Sequence, residues 1–159
     1  MFKLTGIGIY IDMSFSNEYY FFIVLRIEKM KIEELKEKLT QEYRNALEQR
    51  VSNYSQPHDL TGCILWTRST GGSGYPQLNI TVNGWGKRPV SVHQLVYILN
   101  NNDIDTTRYE ISHLCGNKLC VNIAHLVQES PVQNSQRKTC HHEGRCFGHR
   151  GPDCIFRRD

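Results

Sequence analysis

The chain has 159 residues, of which 39% are hydrophobic, a mean hydropathy of −0.49 and a formal net charge of +3. That length suits one modest core or a two-lobed molecule with a helical arm, and so low an apolar content calls for staples beyond hydrophobic burial. A membrane span and a signal peptide are not expected: the apolar run Tyr19 to Leu25 is far short of the roughly 20 residues a span requires, and Lys3, Asp12 and Glu18 interrupt the rest.

Taken in chain order, residues 1 to 27 carry β-prone clusters at Ile7 to Ile11 and Tyr19 to Leu25 without a clear period, so no element is assigned there. From Glu28 to about Arg50, Ile32, Leu35, Leu39, Tyr43 and Leu47 recur every three or four positions among Glu, Lys and Gln, which predicts one amphipathic helix. A break at Ser52 to Pro57 then separates an N-terminal extension, 1–57, from a second region, 58–159. Between Thr61 and Pro89 the glycines at 71, 72, 74, 84 and 86 predict turns between strands. Leu78 to Val82 alternates apolar and polar, Asn83-Gly84 is a hairpin signal, and Lys87 and Arg88 follow, so a twisted antiparallel sheet is expected.

A charge of +3 is too small to imply a nucleic-acid partner, but its distribution is informative. From Leu60 to Asn102 there is no Asp or Glu, where 16 in 159 predicts about four, while Arg68, Lys87 and Arg88 are present. A surface that meets phosphates avoids carboxylates in this way, and a two-stranded ribbon fits the DNA major groove. Next, Ser91-Val92-His93-Gln94 has the form of a capping box opening a helix through Leu99, and a polar loop from Asn100 to Arg108 ends it.

The six cysteines, Cys63, Cys115, Cys120, Cys140, Cys146 and Cys154, are enough for three disulfides in a secreted protein. Histidines mixed among them at short spacing read better as zinc ligands. Cys115 and Cys120, with His125 five positions on, can close around one tetrahedral zinc if a fourth ligand arrives, and Cys63 is the one upstream thiol. Cys140, Cys146, His149 and Cys154 supply a second closed set, with His141 and His142 as rivals for His149. Together the two sets use every thiol. A structural zinc contributes roughly 10 kcal/mol or more of folding free energy in small peptides, enough to replace missing core.

His113 stands outside both sets, two residues before Cys115, where the zinc loop would hold it rigidly. Ser130-Pro131-Val132-Gln133 is a helix start with a Ser cap and Pro at the first position, placing Asn134 near the helix N-terminus and opposite His113. Asn122 reads as structural, its amide satisfying local backbone. This combination, Ser112-His113-Leu114-Cys115, Cys120, Asn122, His125-Leu126, Asn134 and the Cys140 to Cys154 cluster, resembles the His-Cys box homing endonucleases over roughly Cys63 to Cys154. Ile123 and Ala124 depart from it, standing where a proline commonly follows the Asn.

The resemblance implies an α+β fold: a ββα-metal nuclease core with two structural Zn²⁺ sites, an antiparallel DNA-binding sheet and, before them, the N-terminal helix. It implies hydrolysis of phosphodiesters in double-stranded DNA, with His113 as general base, Asn134 as ligand of one Mg²⁺, and an arginine from the sheet near the scissile phosphate. Arg88 is the candidate, with Lys87 behind it, although neither matches by motif. A palindromic target would favour a two-fold homodimer, but a partner-embracing tail would have to extend beyond the five residues after Cys154. The implied compartment is the nucleus. The rival readings are a zinc-dependent nucleic-acid-binding protein without catalysis and a secreted disulfide-bonded protein.

Overall fold

The computed structural model describes residues 32–58, 60–82 and 86–156, and Lys31–Asp159 form one compact unit. The sequence features of residues 1 to 31 and the Asn83-Gly84 turn lie outside the described residues. Among the described residues the first elements are two helices, α1 (Ile32–Lys38) and α2 (Gln41–Asn53). Apolar period predicts one helix, but the chain restarts at Thr40, whose hydroxyl accepts the amide of Tyr43 at 3.2 Å. The cap residue and the acidic first turn at Glu42 favour a new start. The period continues across the break because Leu35, Leu39 and Leu47 are all buried, and both helices pack on α3 (Val92–Asn100).

Among the described residues the strands form three antiparallel pairs: β1 (Ser55–His58) with β2 (Cys63–Trp66), β3 (Gln77–Val82) with β4 (Gly86–Ser91), and β5 (Glu110–His113) with β6 (Leu126–Glu129). The single sheet expected between Thr61 and Pro89 is therefore two, and the expected break before it holds the end of α2 and the first three residues of β1. Along β3, Leu78, Ile80 and Val82 are buried while Gln77, Asn79 and Thr81 are exposed, the alternation of a half-buried strand. Ser91 does not cap α3. It remains paired with Gln77 as the last residue of β4, and the amide of Val92 donates instead to the Pro76 carbonyl at 3.0 Å. Backbone pairing there satisfies the first amide of the helix, and the expected side-chain cap bonds do not form.

Strand β5, the 3₁₀ turn Ile123–His125, β6 and α4 (Pro131–Glu143) form a ββα unit. The start of α4 is as read: Ser130 and Gln133 cap each other's amides, with Pro131 at the first position. Helix α3 lies against the hairpin face that carries His113, and α4 against the face that carries Ser112. Among the described residues no helix is long and apolar enough to cross a membrane.

Candidate functional site

Strand β2 delivers Cys63. Its Trp66 amide donates to Leu119 O at 2.9 Å and its Ile64 carbonyl accepts Val121 N at 2.8 Å, so β2 is laid along the loop that carries Cys115 and Cys120. The ligand atoms of Cys63, Cys115, Cys120 and His125 then lie within 4.8 Å of one another. Cys63 Sγ is 3.5 Å and Cys120 Sγ 3.6 Å from His125 Nδ1. Tetrahedral zinc with its usual bond lengths sets ligand atoms roughly 3.3–3.8 Å apart, so three thiols and an imidazole at these distances fit the ion. Asn122 holds the histidine in place: its Nδ2 donates to Gly62 O at 2.7 Å and its Oδ1 accepts Ala124 N at 3.0 Å, capping the 3₁₀ turn. The turn therefore forms with Ile123 and Ala124 in the positions where the family commonly has proline.

Of the three sulfurs, Cys120 is the one favoured to ionise. The Cys115 thiol donates to it and the amides of Asn122 and Ile64 assist, holding Cys120 down to about 5 against burial. Cys115 is raised by giving that bond and by burial, and Cys63 chiefly by burial. A divalent cation supplies the positive charge that lets all three ionise.

The second set gathers at the end of α4. Gly144, in the left-handed region at φ 69°, turns the chain after the helix. Cys140, Cys146, His149 and Cys154 present ligand atoms within 4.8 Å of one another, with His149 Nε2 3.1 Å from Cys154 Sγ and 3.6 Å from Cys146 Sγ. His149 is thus the histidine of this set. His141 Nε2 donates to Leu114 O at 2.9 Å, and His142 is exposed beside Glu143. Backbone amides of Gly148 and Cys154 hold Cys146 down to about 7, while burial pushes Cys154 up to about 12 against the pull of Arg137.

Arg137 has no counterpart in the sequence-level expectations. It is fully buried on α4, ion-paired to Glu129 at 2.7 Å, with a second bond to the same carboxylate at 3.0 Å. It also donates to Pro152 O at 3.0 Å and to Cys154 Sγ at 3.4 Å. Glu129 in turn accepts the hydroxyl of Ser112. Burial alone would raise the Glu129 carboxyl; Arg137 and Ser112 outweigh it and hold it low. A continuous polar chain therefore runs from the second cage to the residue next to His113. Helical register offered a clue, since Arg137 lies three residues from both Asn134 and Cys140, on their face of α4.

His113 ends β5. Its Nε2 lies 3.0 Å from Cys120 O, and a carbonyl can only accept, so Nε2 carries the proton and Nδ1 is the ring's acceptor. Burial lowers its pKa, partly opposed by that carbonyl, which keeps the ring neutral at pH 7. Two rings missed at the sequence level surround it. His93 of α3 is 4.8 Å away between centroids and Tyr75 is 6.0 Å away, with Lys118 Nζ 5.1 Å from the Tyr75 ring. His93 is itself held at about 3 by burial and then by His113.

Asn134, in the first turn of α4, donates its Nδ2 to Glu110 Oε2 at 2.5 Å. Glu110 and His113 are the first and last residues of β5, about 10 Å apart at the usual rise per residue and on opposite faces. His113 and Asn134 are therefore anchored to one short strand from its two sides. Arg88 is placed half-exposed on β4, opposite Ile80, and Lys87 is exposed opposite Thr81.

A family model described as the zinc-binding loop region of homing endonuclease matches residues 63–156. That span begins at the first thiol of one cage and ends two residues past the last thiol of the other. No curated protein and no solved structure matches the chain.

Proposed function

We propose, because the chain belongs to the homing endonuclease family through its zinc-binding loop region, that it is a sequence-specific endonuclease hydrolysing double-stranded DNA with one divalent cation. The observation that carries this reading is the bond between His113 Nε2 and the Cys120 carbonyl. A neutral imidazole fixed by one nitrogen can use the other as general base, and this one is fixed by a residue of a zinc cage. In the proposed reaction Nδ1 of His113 takes a proton from the attacking water. The oxygen of Asn134 is a hard ligand suited to Mg²⁺, and the carboxylate beside it adds negative charge to the seat. When bound, the ion supplies charge neutralisation at the scissile phosphate and at the departing 3′ oxygen.

His113 and the Glu110 that holds Asn134 both belong to β5, which among the described residues pairs only with β6. A phosphate laid across its open edge is reached from the His113 side and the Asn134 side together. The DNA face is assigned to the exposed residues of β3 and β4, Gln77, Asn79, Thr81 and Lys87, with Arg88 as the phosphate-contacting cation. It lies within the acid-free stretch from Leu60 to Asn102. A two-fold homodimer acting on a palindromic site in the nucleus completes the proposal.

The test is incubation of zinc-loaded protein with supercoiled plasmid carrying a randomised site library, with and without Mg²⁺. Cuts that require Mg²⁺ are expected, slowed about 10²–10⁴-fold in His113→Ala while gel-shift binding persists. Binding without cutting by the wild-type protein would instead favour a non-catalytic zinc-dependent nucleic-acid-binding protein.

A further inference from the structure

We infer that Glu110 is a positioning residue which sets which end of the Asn134 carboxamide faces the cation; the inference rests on the nuclease reading above. An Asn side chain offers two nearly isosteric ends, of which only the oxygen can ligate Mg²⁺. The carboxylate of Glu110 accepts hydrogen bonds and cannot donate them, so the group that meets it at 2.5 Å is the NH₂ end. Oδ1 is thereby turned away from Glu110 and presented as the ligand atom.

The surroundings of Glu110 support the same role. It is exposed, and among the described residues it has no cationic partner. Its cross-strand neighbour is another carboxylate, Glu129, whose charge is matched by Arg137. Like charges directly opposite each other in a sheet are unfavourable, and a bare carboxylate beside a DNA phosphate repels it. A cation seated against Asn134 removes both penalties. Strand β5 then carries an orienting contact for each reacting side chain: its last residue is aligned by the Cys120 carbonyl, and its first residue aligns Asn134.

The experiment uses the full zinc-loaded chain as Glu110→Ala, Glu110→Gln and Glu110→Asp. Plasmid cleavage is titrated with MgCl₂, and the Asn134 side-chain NH₂ pair is followed by ¹⁵N–¹H NMR, first without Mg²⁺ and then with trace Mn²⁺. Loss of a partner that orients a metal ligand typically weakens metal binding 10–100-fold. Glu110→Ala and Glu110→Gln are therefore expected to need about 10-fold more Mg²⁺ for half-maximal rate, with KM for DNA unchanged and partial recovery in Glu110→Asp. In the wild type the one strong bond is expected to split the Asn134 NH₂ pair widely, and in the variants the splitting is expected to collapse toward that of a solvent-exposed amide. Mn²⁺ broadening of that pair should weaken in parallel.

Unaltered Mg²⁺ dependence with unmoved Asn134 resonances overturns the inference. A weakened Mg²⁺ response with unmoved Asn134 resonances also overturns it, making Glu110 a ligand in its own right. Failure of the nuclease reading looks different: the wild type does not cut, while Mn²⁺ still broadens Asn134 in a Glu110-dependent way.

Discussion

One cage draws its ligands from three places, Cys63 on β2, Cys115 and Cys120 on the loop after β5, and His125 on the 3₁₀ turn, with three of the four residues buried; the other takes Cys140, Cys146, His149 and Cys154 from the end of α4 and the segment after it, and buries only Cys140. Closing a long loop costs conformational entropy that local contacts do not repay. The first cage brings Cys63 on β2 to His125 across 62 residues of sequence, so ion binding there is coupled to folding. The second secures a segment already next to its helix and fastens the chain end to the core, where Ile155 N donates to Leu114 O at 2.7 Å. Its influence reaches the core through Arg137.

The sharpest way to break this contrast is to remove one thiol from each cage. Cys63→Ser is expected to abolish the cooperative thermal transition, a loss on the order of 10 kcal/mol in the zinc-linked term. Cys146→Ser should retain one zinc per chain by elemental analysis and still unfold cooperatively, at a lower temperature. Equal loss of structure in the two variants, followed by circular dichroism, would remove the distinction between a cage that makes the fold and one that secures its end.

A smaller effect tests the link between the cages. Arg137→Met leaves Glu129 buried without its cation, a change that costs about 3–5 kcal/mol in comparable pairs. Adding Glu129→Leu should restore part of that stability, because an apolar pair carries no desolvation penalty. Zinc affinity at the second cage should fall in both variants, since both lack the guanidinium that donates to Cys154. Denaturant unfolding and zinc competition with a chelator read these two effects separately. A cost below about 1 kcal/mol for Arg137→Met would mean that the pair does not couple the cage to β5.

What could be read in the sequence divides along the same line. The second cage, the Ser130 capping box and the bond by which Asn122 caps the 3₁₀ turn depend on residues close in sequence, and spacing reports such geometry directly. Cys63 could be reached only by elimination, because its place is set by a backbone ladder to a loop more than fifty residues away. The choice among His141, His142 and His149 turns on where each ring points: His141 faces the Leu114 carbonyl and only His149 faces the thiols. Local rules also misled where backbone pairing overrode them, as at Ser91, and where an apolar period ran through the Thr40 cap without a change of face. Arg137, Glu129, Glu110 and His93 were illegible for a common reason: charged or polar side chains are ordinarily assigned to solvent, and only contacts between elements show them buried or paired.

The last and smallest effect separates the two regions by their response to acid. His93, on the first cage's side of the hairpin, has a folded pKa of about 3 against an ordinary value near 6.5, through burial first and the neighbouring His113 second. Between those two values the unfolded chain binds the proton that the folded chain refuses. The stability from a neutral His93 is therefore complete above about pH 6.5 and is lost as pH falls, at up to about 1.4 kcal/mol per pH unit. His93→Phe keeps an aromatic ring beside His113 and removes both the titrating group and a buried Nδ1 that has no hydrogen-bond partner among the described residues. Protonation of the zinc ligands in the same range destabilises wild type and variant alike, so the difference between their curves isolates His93. Denaturant unfolding from pH 7.5 to 5 should show a shallower decline for His93→Phe than for the wild type. Parallel curves would mean that acid acts through the cages alone, and the ring stack around His113 would then add nothing to the difference between the two halves of the site.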